Sequence, residues 1–179
     1  MELFWERGYE ATSIADITAA IGIGAPSLYA AFGGKRDLFG RVVELYLREY
    51  HGWMAAALRQ EPTLRAGIDR LLAEAALAYT RPGHPPGCLV ITSATNCTSP
   101  EVQQMLRAVR NTSVSQLESV IGAAVKSGEL SAGASARALA MFTAAVMQGM
   151  AQRACDGATR QELHDIANVA ATAWPWVHR

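Results

Sequence analysis

The sequence has few cysteines, few aromatic residues and no surplus of either charge, and each shortage narrows the possible functions. Its three cysteines, Cys88, Cys97 and Cys155, are too few for a disulfide framework, and an odd number cannot all be paired within the chain. It contains neither a C-x-x-C motif nor a His-rich cluster, so we expect no metal site and no cofactor. The 16 basic and 16 acidic residues cancel, so a polyanionic partner must bind at a local site.

Long apolar runs are also missing. The first ten residues, MELFWERGYE, lack the apolar core of a signal peptide. The most apolar stretch, ALAMFTAAVMQGMA, is too short to span a bilayer. We therefore expect a protein of the reducing cytoplasm with no membrane partner.

Helices dominate the expected structure. Half of the residues are hydrophobic but only 7% are aromatic, and the stretch CLVITSATN has strand-like composition without a partner strand, which favours a short buried helix. Helical spacing of apolar residues, together with Gly and Pro breaks, predicts an all-α fold of about nine helices. One of them is expected to run from Lys35 to a break at Pro62. We assign residues 1–48 to one domain and residues 49–179 to a larger helical domain.

The first domain contains the pattern of a helix-turn-helix. Ser13 with Asp16 predicts a capping box at the start of one helix, and Gly22 predicts its end. Gly24 marks a corner, and Pro26 suits the first turn of the next helix because its missing N–H costs nothing there. Two short helices joined by a tight turn are typical of DNA-binding domains.

The second of these helices has a composition that suits a DNA groove. Its small residues would let the backbone approach bases in a major groove about 12 Å wide. Ser27 and Tyr29 carry hydroxyls that can donate to phosphates or base edges, and Lys35 is placed to reach the phosphate backbone. Residues 1–50 nevertheless carry five basic and seven acidic residues, a balance of −2 that is poor for DNA binding.

The stretch GYEATSIADITAAIGIGAPSLYAAFGGKRDLF resembles the N-terminal domain of the TetR family of one-component transcriptional repressors, over residues 1 to about 48. The resemblance implies an all-helical homodimer that leaves a palindromic double-stranded DNA operator when a small-molecule inducer enters a cavity in the larger domain. Ala31 departs from the family, which often has His in a Y-x-H-F run, and the first helix is short of upstream turns. Carried over by position, the expected DNA contacts are Thr12, Ser13, Ala25, Pro26, Ser27, Tyr29 and Lys35.

The larger domain offers weaker signals for a ligand pocket and a dimer interface. Met and aromatic side chains are candidates for a cavity lining, with polar residues among them as hydrogen-bonding groups. The candidates are Trp53, Tyr79, Asn96, Met105, Met141, Phe142 and Gln148. Helices near 135–153 and 160–174 carry more small and apolar surface than one chain can cover, which predicts a four-helix homodimer interface.

Two alternatives stay open from the sequence. The first is a helical small-molecule binding protein or enzyme with a vestigial helix-turn-helix. The sequence contains no nucleophile and base at a spacing typical of a catalytic pair, so we expect that the protein is not an enzyme. The second is a thiol sensor in which His84 lowers the pKa of Cys88, with Cys97 as a further candidate. Buried cysteines more often act as small hydrophobic residues, which favours a packing role for both.

Overall fold

The computed structural model describes residues 1–177 and is all-α, as predicted. Its ten helices are α1 (Glu2–Ala11), α2 (Ile14–Ile21), α3 (Ala25–Phe32), α4 (Lys35–Tyr50), α5 (Gly52–Gln60), α6 (Leu64–Tyr79), α7 (Leu89–Thr92), α8 (Pro100–Lys126), α9 (Ala136–Cys155) and α10 (Arg160–Thr172). Within residues 1–177 the only β-type pairing is an isolated antiparallel bridge between Leu130 and Trp176. We call α1–α4 the head and α5–α10 the body.

Local signals account for the helix-turn-helix of the head. Ser13 and Asp16 form the predicted capping box, and Gly22 ends α2 in the left-handed conformation with φ 71°. Pro26 lies in the first turn of α3. Helices α2 and α3 meet at 95°, which is the bend of a helix-turn-helix. Ile21, the last residue of α2, is 51% exposed.

The helix predicted from Lys35 to Pro62 is broken in the structure. It divides at His51 into α4 and α5, and Gly52, a poor helix former, follows the break directly. Pro62 lies just beyond the end of α5, as the sequence predicted. The break gives ten helices instead of nine, and it turns His51 toward the middle of the body.

The body is built around α6. This helix packs against α5, α9 and α10, while α8 lies along α9. Its inner positions Ile68, Leu71, Leu72 and Ala75 are almost completely buried. Among residues 1–177, no single helix is long and apolar enough to cross a bilayer, and only the bent pair α2–α3 meets that test when both are counted together.

Close packing of α1 against α7 joins the head to the body. The Ser93 hydroxyl donates a hydrogen bond of 3.3 Å to the carbonyl oxygen of Phe4. Gly8 interrupts α1 with φ 77°, and a Cβ at this position would lie 3.3 Å from the carbonyl oxygen of Thr92. The α1–α7 contact therefore requires a residue at position 8 without a side chain.

The Glu10 carboxylate makes a second junction, at the amino end of α8. It accepts hydrogen bonds from the Thr98 N–H at 2.6 Å, the Thr98 hydroxyl at 2.8 Å and the Ser99 N–H at 3.1 Å. These hydrogen bonds lower the pKa of Glu10, so it is ionised at neutral pH. A carboxylate at a helix amino terminus also interacts favourably with the helix dipole.

Aromatic stacking makes a third junction, through the Pro- and Gly-rich loop at residues 81–87. His84 stacks on Trp5 with ring centroids 5.8 Å apart, and Trp5 also contacts Tyr46 edge-on at 4.9 Å. Trp5 is almost completely buried, with 3% of its surface exposed. The His84 ring thus packs against Trp5 of α1 and Tyr50 of α4, while much of the loop remains exposed.

We expect Gly8→Ala to destabilise the protein by about 1–3 kcal/mol, because a positive φ is strained for alanine and its Cβ would crowd the Thr92 carbonyl oxygen. Urea unfolding followed by circular dichroism measures the change. Gly52→Ala is the matched control, since a Cβ there meets open space at the start of α5. Equal stability of the two variants would contradict the account of the α1–α7 contact.

Candidate nucleic-acid interface and ligand cavity

The exposed side of α3 is small and almost free of long side chains. Ser27, Ala30 and Ala31 are exposed, Tyr29 is half exposed, and Leu28 is fully buried on the opposite side. Residues 14–34 contain no Arg, Lys, His, Asn or Gln. Helix α3 therefore presents hydroxyls and methyl groups on a surface narrow enough to enter a major groove.

The two residues expected to bind phosphate at the start of α2 differ in the structure. Ser13 is exposed, and its hydroxyl accepts the Asp16 N–H at 3.0 Å. Thr12 is fully buried, and its hydroxyl donates to the Gly8 carbonyl oxygen at 2.7 Å. The Thr12 hydroxyl therefore closes the end of α1, and of the two side chains only that of Ser13 is exposed, so a phosphate contact of Thr12 stays a prediction.

Several charges of the head are engaged within the protein. The Lys35 ammonium lies 3.4 Å from the Glu10 carbonyl oxygen and 4.3 Å from the centre of the Tyr9 ring, and burial lowers its pKa. Arg7 pairs with Asp16 at 3.3 Å. The Arg7–Asp16 pair removes one charge of each sign, so the balance of residues 1–50 stays at −2.

The body contains a cavity of about 60 Å³ between its helices. Its walls come from the α4–α5 break and from α5, α6, α7, α8 and α9. The residues that line it are His51, Met54, Tyr79, Cys88, Val90, Ile91, Val109, Arg110, Ser113, Leu117, Ala144, Met147 and Gln148. Most of this surface is apolar, with a few polar groups among the methyl and methylene groups, as ligand sites commonly are.

Two of the seven predicted ligand residues, Tyr79 and Gln148, line this cavity. Trp53 lies one layer away, with its ring centre 6.4 Å from that of Tyr79 and its indole N–H donating to the Tyr50 carbonyl oxygen. Asn96 is exposed in the loop after α7 with φ 55°, because that loop turns in the left-handed conformation.

The other three predicted ligand residues also lie outside the cavity. Met105 lies against α4, where its Cε is 3.5 Å from the Cβ position of Gly40. Met141 and Phe142 are 49% and 37% exposed on the outer side of α9. Residue type alone misled the sequence interpretation here, since helical rotation decides which apolar residues face inward.

The sequence interpretation missed His51 and Arg110. His51 reaches the cavity only because the helix breaks there, which no local pattern showed. Arg110 did leave a signal, because it continues the inward stripe of α8 between Leu106 and Leu117 at helical spacing. A charged residue on an otherwise apolar stripe is a candidate for function.

Burial controls the ionisation of the groups in the cavity. It lowers the pKa of His51 to about 4, so this ring is neutral at pH 7. It raises the pKa of the Cys88 thiol, whose sulfur accepts a hydrogen bond of 3.4 Å from the Tyr46 hydroxyl. The predicted acidic thiol beside His84 is therefore wrong, because His84 stacks on Trp5 and Cys88 is 3% exposed.

Cys97 is also buried, and its burial raises the pKa of its thiol. Thiols with raised pKa values are poor nucleophiles toward oxidants. Within residues 1–177, no group of three or more His, Cys, Asp or Glu residues is placed to hold a metal ion.

Comparison with known proteins places this arrangement in a family. Residues 1–42 match the bacterial regulatory proteins of the tetR family, and residues 66–170 match the tetracyclin repressor-like C-terminal domain. The chain belongs to the tetR family. It is 31% identical to the HTH-type transcriptional repressor ComR of Escherichia coli over 179 residues, 98% of this chain and 85% of that protein.

Solved structures of this family agree in fold. A cysteine mutant of the TetR family transcriptional regulator CifR, in complex with a 26 bp double-strand operator DNA, has a TM-score of 0.91 and 34% identity, over 97% of this chain and 92% of that chain. A TetR transcriptional regulator from Chloroflexus aurantiacus has a TM-score of 0.82 and 25% identity, over 96% and 87%. The present tetR-family protein is a DNA-binding transcriptional regulator.

We expect acid to destabilise this regulator through His51. Its folded-state pKa lies below its ordinary value, so the stability it contributes is complete above pH 6.5 and is lost as the pH falls toward 4. The loss is about 1–3 kcal/mol across that window. Urea unfolding at several pH values measures the free energy of unfolding, which should decline less steeply with falling pH in His51→Gln. The control is His164→Gln, at an exposed position on α10, whose pH dependence should match that of the unchanged protein.

Proposed function

We propose that this regulator is a repressor that leaves its operator when a small molecule occupies the cavity. The observation that carries the proposal is that α7 has one side in the cavity and the other against the head. Val90 and Ile91 line the cavity. Thr92 and Ser93, the next two residues, contact α1. A ligand that displaces α7 would therefore displace α1.

Helix α8 offers a second connection between the same two places. Its middle lines the cavity through Arg110 and Leu117, and its amino end is held by the Glu10 carboxylate of α1. If ligand and operator prefer different positions of these helices, each weakens the binding of the other by the same factor. No direct contact between ligand and DNA is needed.

The DNA contacts of this proposal lie on the start of α2 and on α3. We assign them to the exposed groups Ser13, Pro26, Ser27 and Tyr29, with Ala25 at the groove wall. Lys35 is assigned to a phosphate, for which its ammonium must exchange or share its contacts with Glu10 and Tyr9. CifR, which has the same fold, forms a complex with a 26 bp operator duplex, which supports DNA binding by the present chain.

We expect Tyr29→Ala to weaken operator binding by about 5–100-fold, because it removes a hydroxyl and ring from the exposed side of α3. Fluorescence anisotropy with duplexes from the region flanking the gene measures this, against scrambled duplexes and over a salt series. Leu77→Ala, at an exposed position on α6, is the control. Binding no better than to scrambled duplexes would instead favour a small-molecule binding protein with a vestigial helix-turn-helix.

The assembly proposed here is a homodimer through α9 and α10. Met141 and Phe142 on α9, and Ile166 and Val169 on α10, are exposed apolar side chains, with Val169 71% exposed. Isolated apolar residues are ordinary on surfaces, but these four lie on two adjacent helices. A two-fold dimer would also present two α3 helices to a palindromic operator.

Val169→Glu is expected to give monomers, because a carboxylate would be buried without a partner at the centre of the proposed interface. Size-exclusion chromatography with light scattering measures the mass. Leu77→Glu introduces the same charge at an exposed apolar position on α6 and should leave a dimer. A monomeric unchanged protein, or a dimeric Val169→Glu, would contradict this interface.

This function is regulatory and needs no catalytic group. Its place is the cytoplasm, where a bacterial regulator meets DNA. The raised pKa values of Cys88 and Cys97 favour packing over redox sensing for both thiols.

A further inference from the structure

Arg110 brings a positive charge to the cavity without a counter-ion. Its Nη1 atom is buried and has no hydrogen-bond partner in the described part of the chain. None of the ion pairs found between residues 1 and 177 includes it. The charged neighbour that most affects it is Arg107, which is itself positive. Burial and this neighbour both lower the pKa of Arg110, though a guanidinium stays charged at neutral pH.

The other polar groups of the cavity do not compensate this charge. His51 is neutral at pH 7, and burial keeps the Cys88 thiol and the Tyr79 hydroxyl protonated by raising their pKa values. Ser113 donates its hydroxyl to the Val109 carbonyl oxygen. The cavity thus carries one positive charge, hydrogen-bond donors, and no carboxylate among its lining residues.

Arg110 as a whole is partly exposed, but its Nη1 atom is buried without a hydrogen-bond partner, which costs free energy that a bound anion would remove. We infer that the cavity binds a small monocarboxylate, whose carboxylate pairs with Arg110 and whose apolar end lies among the methyl and methionine side chains. The single positive charge favours a monoanion over a phosphate dianion. The volume of about 60 Å³ favours a short chain.

The apolar walls explain why a carboxylate needs a hydrocarbon part here. Met54, Val90 and Ile91 face the cavity from one side, and Leu117 and Met147 face it from others. A guanidinium can donate two parallel hydrogen bonds to one carboxylate, which gives orientation as well as affinity. This inference rests on the proposed ligand site but not on operator release.

Isothermal titration calorimetry with acetate, propionate and butyrate at matched ionic strength tests the inference, with propionamide and butyramide as neutral ligands of the same shape. We expect butyrate to bind and butyramide to bind at least about tenfold more weakly. In Arg110→Gln, butyrate binding should weaken by the same factor. Arg107→Gln has the same net charge and changes an exposed position one turn away, so it should bind as the unchanged protein does.

Thermal unfolding is a second measurement, and it distinguishes a loss of ligand binding from a folding defect in the variant. Arg110→Gln should unfold at an equal or higher temperature without ligand, because it removes a charged group whose Nη1 atom is buried without a hydrogen-bond partner. It should gain no stability from butyrate, whereas the unchanged protein should gain it. Equal binding of butyrate and butyramide, tighter binding of inorganic phosphate, no binding of any carboxylate, or undiminished binding by Arg110→Gln would each overturn the inference.

Operator binding, followed in parallel by anisotropy, separates this inference from the proposed function. Butyrate that binds through Arg110 and releases the operator supports both. Butyrate that binds through Arg110 but leaves the operator bound supports the carboxylate site and contradicts operator release by its ligand.

Discussion

Contact between α1 and α7 is the constraint on which the other features of this regulator depend. Gly8 permits the approach, since a side chain there would meet the Thr92 carbonyl, and the Ser93 hydroxyl then ties α7 to the backbone of α1. Glu10 adds a charged link to the amino end of α8. These contacts are the route by which the proposed change at the cavity would reach the head.

The two functional surfaces have opposite chemistry, and that difference follows from what each must contact. The exposed side of α3 carries mostly short side chains, which suits its proposed approach to base edges. The cavity instead places Arg110 and neutral polar groups among apolar walls, where low polarity strengthens each electrostatic interaction. Neither surface includes a reactive thiol, since burial raises the pKa of Cys88.

Signals that act over one or two helical turns made much of the fold predictable. The capping boxes at Ser13 and Thr159 and the left-handed Gly22 mark helix ends through hydrogen bonds between near neighbours. The lining of the cavity instead depends on contacts between residues that are far apart in the sequence. Tyr79 and Gln148 line it, but Met141 and Phe142 belong to the outer surface of α9 because of helical rotation.

The amino-acid sequence alone was enough for the all-α class and the helix-turn-helix, because caps, glycines and apolar spacing act locally, and the family followed from the resemblance of residues 1 to about 48 to the TetR N-terminal domain. Tertiary packing settled the break at His51, the burial of Thr12, and the isolation of Arg110 in the cavity. Each of these depends on which distant residues approach: the His51 ring lines a space formed by several helices, and a buried charge lacks a partner only once every neighbour is in place.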